Sequence, residues 1–159
     1  MPLMRKLFGT DGVRGEAGVD LTEAVARDLG AAAARFAGAG ERILIGRDTR
    51  ESGPMLEAAL AAGIAAAGGD ALLGGVLPTP AAAILVRRLG LDLAAVVSAS
   101  HNPYRDNGIK FFDGHGLKLD DEQEARIETA LEGPPQPVAE PGRVRELAGA
   151  GDDYLRELA

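Results

Sequence analysis

Apolar residues at Leu21, Val25, Leu29, Ala32 and Phe36 recur at three- and four-residue spacing, which predicts an amphipathic helix over 21–38. Thr22 or Asp20 can cap its start, and Gly38 and Gly40 end it. A strand over 42–45 follows, then a helix to about residue 67 that begins with Ser52 as N-cap and Pro54 in its first turn. Met55, Leu56, Leu60 and Ile64 form its apolar face, and Gly68-Gly69 stops it. A third short strand is expected over 71–73. Thr79-Pro80 opens the next helix with Thr79 as cap, Ile84, Leu85 and Leu89 make its apolar stripe, and Gly90 closes it. The unbroken run Leu93-Ala94-Ala95-Val96-Val97 has the length and composition of a strand buried on both faces.

Strand and helix alternate from 42 to 97, which implies a parallel sheet covered by helices on both sides. Beyond it, residues 109–112 and 117–119 flank Asp113-Gly114-His115-Gly116 and predict a hairpin with His115 as a turn residue. Asp121 and Glu124 suggest a capping arrangement for a helix through Leu131. The expected fold is therefore α/β, a three-layer domain with a mixed, mostly parallel sheet. Its expected extent is 1–132, followed by a Pro/Gly-rich linker over 133–143 and the start of a connection to a second domain over 144–159.

Composition narrows the function classes. With 159 residues, 46% hydrophobic and only 4% aromatic, the chain suits one soluble domain with an aliphatic core. A net charge of -7 repels nucleic acid and anionic membranes, so neither is expected as a partner. The longest apolar stretch, 58–67, is too short to span a bilayer, and the first ten residues hold no apolar run of signal-peptide length. There is no cysteine and hence no disulfide, which suits the cytoplasm. Two histidines without cysteine make no zinc site of usual composition, and the Asp120-Asp121 and Asp152-Asp153 pairs do not alternate as magnesium loops require. P-loop, dinucleotide and nucleophile-elbow patterns are absent.

The polar chemistry concentrates in SASHNPYRDNGIKFF, residues 98–112, which begins where the buried strand ends. In open α/β sheets that edge is where loops diverge and ligands bind. Composition alone describes a surface loop, but Ser100 stands beside His101, and Lys110 interrupts an apolar run in the following strand. A hydroxyl, an imidazole and an ammonium held by neighbouring strands make a site for phosphate or its transfer. Two other segments supply cations. KLFGTDGVRG, residues 6–15, carries Arg14 among three glycines and reads equally as a ligand-approaching loop or as an N-terminal hairpin. Arg47 and Asp48 fall on the same sheet edge as Ser100, with mutual pairing as their simplest role.

Four motifs in order, FGTDGVRG from Phe8, GRDTRESG from Gly46, LPTPA from Leu77 and the Ser98 run, closely resemble the first domain of the α-D-phosphohexomutases. The resemblance covers nearly the whole chain, and its wording is most similar to the bacterial branch that acts on phosphorylated amino sugars. It implies a cytoplasmic isomerase that interconverts glucosamine 6-phosphate and glucosamine 1-phosphate for UDP-N-acetylglucosamine and cell-wall synthesis. By that resemblance Ser100 carries the transferred phosphate, Lys110 and Arg14 assist at the reacting group, and His101 and Asn102 shape the loop. Arg47 and Asp48 support it. One oxygen of the Ser100 phosphate would ligate Mg²⁺, whose remaining ligands belong to later domains in the family. The resemblance also admits a homodimeric full-length enzyme and implies that this domain alone is inactive. The alternatives are the mannose- and glucose-phosphate branches, and a sugar-phosphate binding module without catalysis.

Overall fold

A computed structural model describes residues 12–38, 41–99, 103, 105–132 and 140–147. Ser100, His101 and Asn102, and the Pro-rich residues 133–139, lie outside the described residues.

The alternation expected from the sequence is observed. Strands β1 (Val13–Glu16), β2 (Arg42–Arg47), β3 (Asp70–Val76), β4 (Leu93–Val97), β5 (Asp106–Asp113) and β6 (Val144–Glu146) interleave with helices α1 (Glu23–Ala37), α2 (Gly53–Ala66), α3 (Thr79–Arg88) and α4 (Asp121–Glu132). The strands form one mixed sheet in the order β1-β5-β4-β2-β3-β6. β4, β2, β3 and β6 run parallel, β5 is antiparallel to β4, and β1 pairs antiparallel with β5 at the edge.

Side chains alternate across each strand, and this divides the core in two. On one face Ile43, Ile45, Leu93, Ala95, Val97, Ile109 and Phe111 pack against Leu29, Leu56, Leu60, Ile64 and Ile127 of α1, α2 and α4. On the other, Leu44, Ala94 and Val96 meet Ala81, Ala82, Leu85 and Val86 of α3. β4 is buried at all five positions, which explains its unbroken apolar run. The first face carries three helices against one on the other, and on it α1 and α2 touch backbone to backbone. A Cβ added at Gly30 would strike the Leu60 carbonyl, and one at Gly63 the Arg27 carbonyl. Arg35 ties α4 to this layer by donating from Nη1 to the carbonyl of Ala130 at 3.0 Å.

Several local expectations are corrected. Thr22 caps α1 by accepting from the amide of Val25 at 3.1 Å, as expected, but Ser52 makes no side-chain cap bond to α2. Thr79 is the first residue of α3, and Pro78, in extended conformation, stands at the cap. The α4 box is one residue earlier than expected. The amide of Asp120 donates to Gln123 Oε1 at 2.9 Å and that of Gln123 to Asp120 Oδ1 at 2.8 Å. The shift frees Glu124 to turn inward, where it is 5% exposed and pairs with Lys118 at 3.5 Å. The 117–119 strand reduces to a single bridge between Phe112 and Lys118, with His115 exposed in the turn and Asp113 Oδ1 accepting from the amides of His115 and Leu117. Residues 144–146, read from sequence as the start of a connection, lie parallel to β3 as the outermost strand.

Candidate functional site

β2 feeds α2 and β3 on one side, while the chain returns through α3 to place β4 on the other. The carboxyl ends of β2 and β4 therefore adjoin at the point where the connections diverge, with Arg47 opposite Val97. This is the crevice position of open α/β sheets. Just beyond it, the amide of Asp48 donates to the Val97 carbonyl at 3.1 Å.

Register then decides which candidate residues share a face. Arg14 lies opposite Gly108 and Lys110 opposite Val96, and the Ser98 amide donates to the Gly108 carbonyl at 2.9 Å. Gly108 and Lys110 are two apart on β5, so Arg14, Ser98 and Lys110 stand together on the α3 face at the carboxyl end of β4. Gly108 makes room for this grouping. A Cβ there would stand 2.9 Å from Arg14 Cγ, 2.9 Å from the Ser98 carbonyl oxygen and 3.0 Å from that of Val13. Two cationic side chains thus flank a 6%-exposed serine immediately before the 99–106 stretch. Such a grouping favours a multiply charged anion.

Arg47 is not part of that grouping. Its register with Val97 puts it on the α2 face, where its Nε lies 3.5 Å from Glu57 Oε2. The expected Arg47–Asp48 side-chain pair does not form. Arg47 Nη1 reaches only the Asp48 carbonyl, at 3.5 Å, and the Asp48 carboxylate instead holds Arg50 Nε at 3.1 Å. The exchange follows from geometry, because adjacent residues at a strand end point to opposite sides while Asp48 and Arg50 lie two apart around a turn. Burial pushes the Glu57 carboxyl above the ordinary glutamate range, with the nearby Glu146 charge adding to the rise and Arg47 opposing it.

Two side chains of this site were given no role from sequence. Arg50 is 8% exposed, and its Nη1 donates to the carbonyls of Pro103 at 2.8 Å and Asp106 at 3.2 Å. Asn107 is fully buried. Its Nδ2 donates to Ser52 Oγ at 2.9 Å, and its Oδ1 accepts from the Gly108 amide at 2.9 Å. The 48–52 connection therefore grips the start of β5 twice, and a shallow cleft lined by Ala17, Glu51, Ser52 and Arg105 opens beside it. The signal for these residues was their membership of the GRDTRESG and DNGIKFF motifs, which carried no role for each residue.

Among the described residues no group of three or more His, Asp or Glu side chains could hold a metal ion, so they do not fit a complete Mg²⁺ site. No described helix is long and apolar enough to cross a membrane.

Comparison with known proteins agrees with this layout. Residues 5–136 match the family model described as phosphoglucomutase/phosphomannomutase, alpha/beta/alpha domain I. A phosphoglucosamine mutase from Moorella thermoacetica is 52% identical over 98% of this chain and 37% of its own length. One from Carboxydothermus hydrogenoformans is 55% identical over 92% of this chain and 35% of its own length. Among solved structures, a phosphoglucomutase/phosphomannomutase family protein from Burkholderia thailandensis superposes with a TM-score of 0.82 at 29% identity, over 99% of this chain and 36% of that one. A Thermus thermophilus protein titled putative phosphomannomutase gives 0.78 at 32% identity, over 89% and 33%. The chain thus spans little more than a third of the length of these curated relatives. It belongs to the phosphoglucomutase/phosphomannomutase family, of which it carries the alpha/beta/alpha domain I.

Proposed function

We propose that this chain is the serine-bearing domain of a phosphoglucosamine mutase, an isomerase that interconverts glucosamine 6-phosphate and glucosamine 1-phosphate in the cytoplasm. The observation that supports it most is the placement of Arg14 and Lys110 on one face beside Ser98, at the mouth of the segment that holds Ser100. The substrate choice rests on the two relatives above 50% identity, both phosphoglucosamine mutases. A mannose- or glucose-phosphate substrate is the second reading, favoured by the names of the solved relatives near 30% identity.

In this reading Ser100 begins as a phosphate ester. The free sugar hydroxyl attacks phosphorus, its O–P bond forms as the Ser100 Oγ–P bond breaks, the sugar proton leaves, and the serine oxygen regains one. The resulting bisphosphate turns over in the site and returns its other phosphate to Ser100. The transition state is loose and its charge lies on the transferring oxygens, so catalysis is chiefly placement and charge neutralisation. Lys110 and Arg14 supply that charge, and His101 and Asn102 shape the approach. Mg²⁺ would add further charge neutralisation at the phosphate. The described residues do not by themselves form its site.

Intact mass and coupled turnover of the complete mutase carrying this domain test the reading. Ser100→Ala should lose one phosphate and all turnover, and unchanged phosphate content would remove Ser100 from the role. The domain by itself should show no turnover. Rates on glucosamine, glucose and mannose phosphates separate the two substrate readings.

A further inference from the structure

We propose that Arg50 is a positioning residue for phosphoryl transfer, acting from the β2–α2 connection by tying together the two strand ends, Val97 and Asp106, between which Ser100 lies in the sequence. The inference rests on the Ser100 reading above.

Its basis is a closed circuit of hydrogen bonds around both of those strand ends. The chain leaves β4 at Val97 and enters β5 at Asp106. The Val97 carbonyl accepts from the amide of Asp48 at 3.1 Å, which anchors Asp48 to the departing end. The two Asp48 oxygens then take the amide and Nε of Arg50, each at 3.1 Å, so that the guanidinium has a set direction. From there Nη1 reaches the carbonyls of Pro103 and Asp106, and the Asp106 amide itself donates to the Pro103 carbonyl at 2.9 Å. The returning end is thereby referred to the same strand terminus as the departing one.

This work suits arginine and no other cation. A planar guanidinium can donate to a carboxylate from one edge and to two carbonyls from another, whereas an ammonium is a single centre on a flexible stem. A charge that is 8% exposed also needs full pairing, which Asp48 and the two carbonyls help to supply. For a reaction in which placement dominates, a shift of about 1 Å at the reacting group costs about 10²-fold in rate. Arg50 is thus a control on kcat through backbone position, with no contact to substrate required.

The test compares Arg50→Lys, Asp48→Asn and Ser100→Ala in the complete mutase, reading kcat, KM, phosphate content and thermal midpoint. Arg50→Lys should fold, keep its KM and lose about 10²-fold in kcat. Asp48→Asn should lose kcat in the same direction, and the double variant should lose little more than Arg50→Lys alone, because both act on one circuit. A folded Arg50→Lys with unchanged kcat overturns the proposal. So does a loss of kcat that tracks only the folded fraction, or failure of both single variants to fold, since either makes the residue merely structural. Turnover that survives Ser100→Ala would instead defeat the underlying reading and leave a distinct signature.

Discussion

Asn107 Nδ2 donates to Ser52 Oγ at 2.9 Å, which joins the second position of β5 to the residue that precedes α2. A serine before a helix ordinarily serves its own helix, but here its oxygen faces a fully buried amide instead. Ser52→Ala should therefore cost about 1–3 kcal/mol by stranding that donor. In a double-mutant cycle with Asn107→Ala, read by urea unfolding, the pair should couple by about 0.5–3 kcal/mol. A helix-cap role would give no coupling.

Gly108→Ala introduces a methyl 2.9 Å from both Arg14 Cγ and the Ser98 carbonyl. Backbone cannot yield as a side-chain tip does, so a loss of about 1–3 kcal/mol is expected in chemical denaturation. Arg14 must also swing away, so turnover of the complete mutase should fall more than stability does. An alanine variant with normal rate and normal stability would contradict the packing of Arg14 across this glycine.

Lys110→Met keeps an aliphatic stem of similar length at this β5 position and removes the charge. On the proposed function, loss of this electrostatic donor at the transferring phosphate should cost about 10²–10³-fold in kcat. The measurement is steady-state turnover in the complete mutase. A tenfold higher KM with intact kcat would mean that Lys110 only binds.

Glu57 gives the fold a pH dependence of predictable sign. Its folded pKa is raised, so between the unfolded and folded values the native state holds more proton than the unfolded chain. Stability then falls as pH climbs through that window, and the favourable contribution is complete only below the unfolded value. Glu57→Gln should abolish this slope in urea midpoints collected from acid to neutral pH. It should also weaken the contact with Arg47, 3.5 Å away, so the variant's advantage at neutral pH will be small.

The fold was legible because its local signals agree. The uninterrupted run at 93–97, the glycine stop at Gly38 and the Thr22 cap are each written in a few consecutive residues, and each is observed. Errors fall where a side chain had two partners within reach. Ser52 and Asp48 could have bonded next to themselves, and instead Ser52 meets a strand over fifty residues away while Asp48 directs an arginine to one. The antiparallel addition of β1 to β5 was equally hidden, since no periodicity records which distant strand a short segment will join. Sequence could nominate Arg14 and Lys110 separately through motif resemblance, but only register shows that they share a face.

That register also sets a timetable. Val13 pairs with Ile109, so the earliest described strand waits for nearly the whole domain before it has a partner. Long-range closure of this kind comes late in folding because its entropic cost precedes its reward. On a chain emerging from the ribosome, β2, β3 and β4 with α1, α2 and α3 can consolidate while Arg14 is still untethered. The corner that carries Arg14 thus matures after β2, β3 and β4, and on the proposed function it binds no phosphate before that scaffold exists.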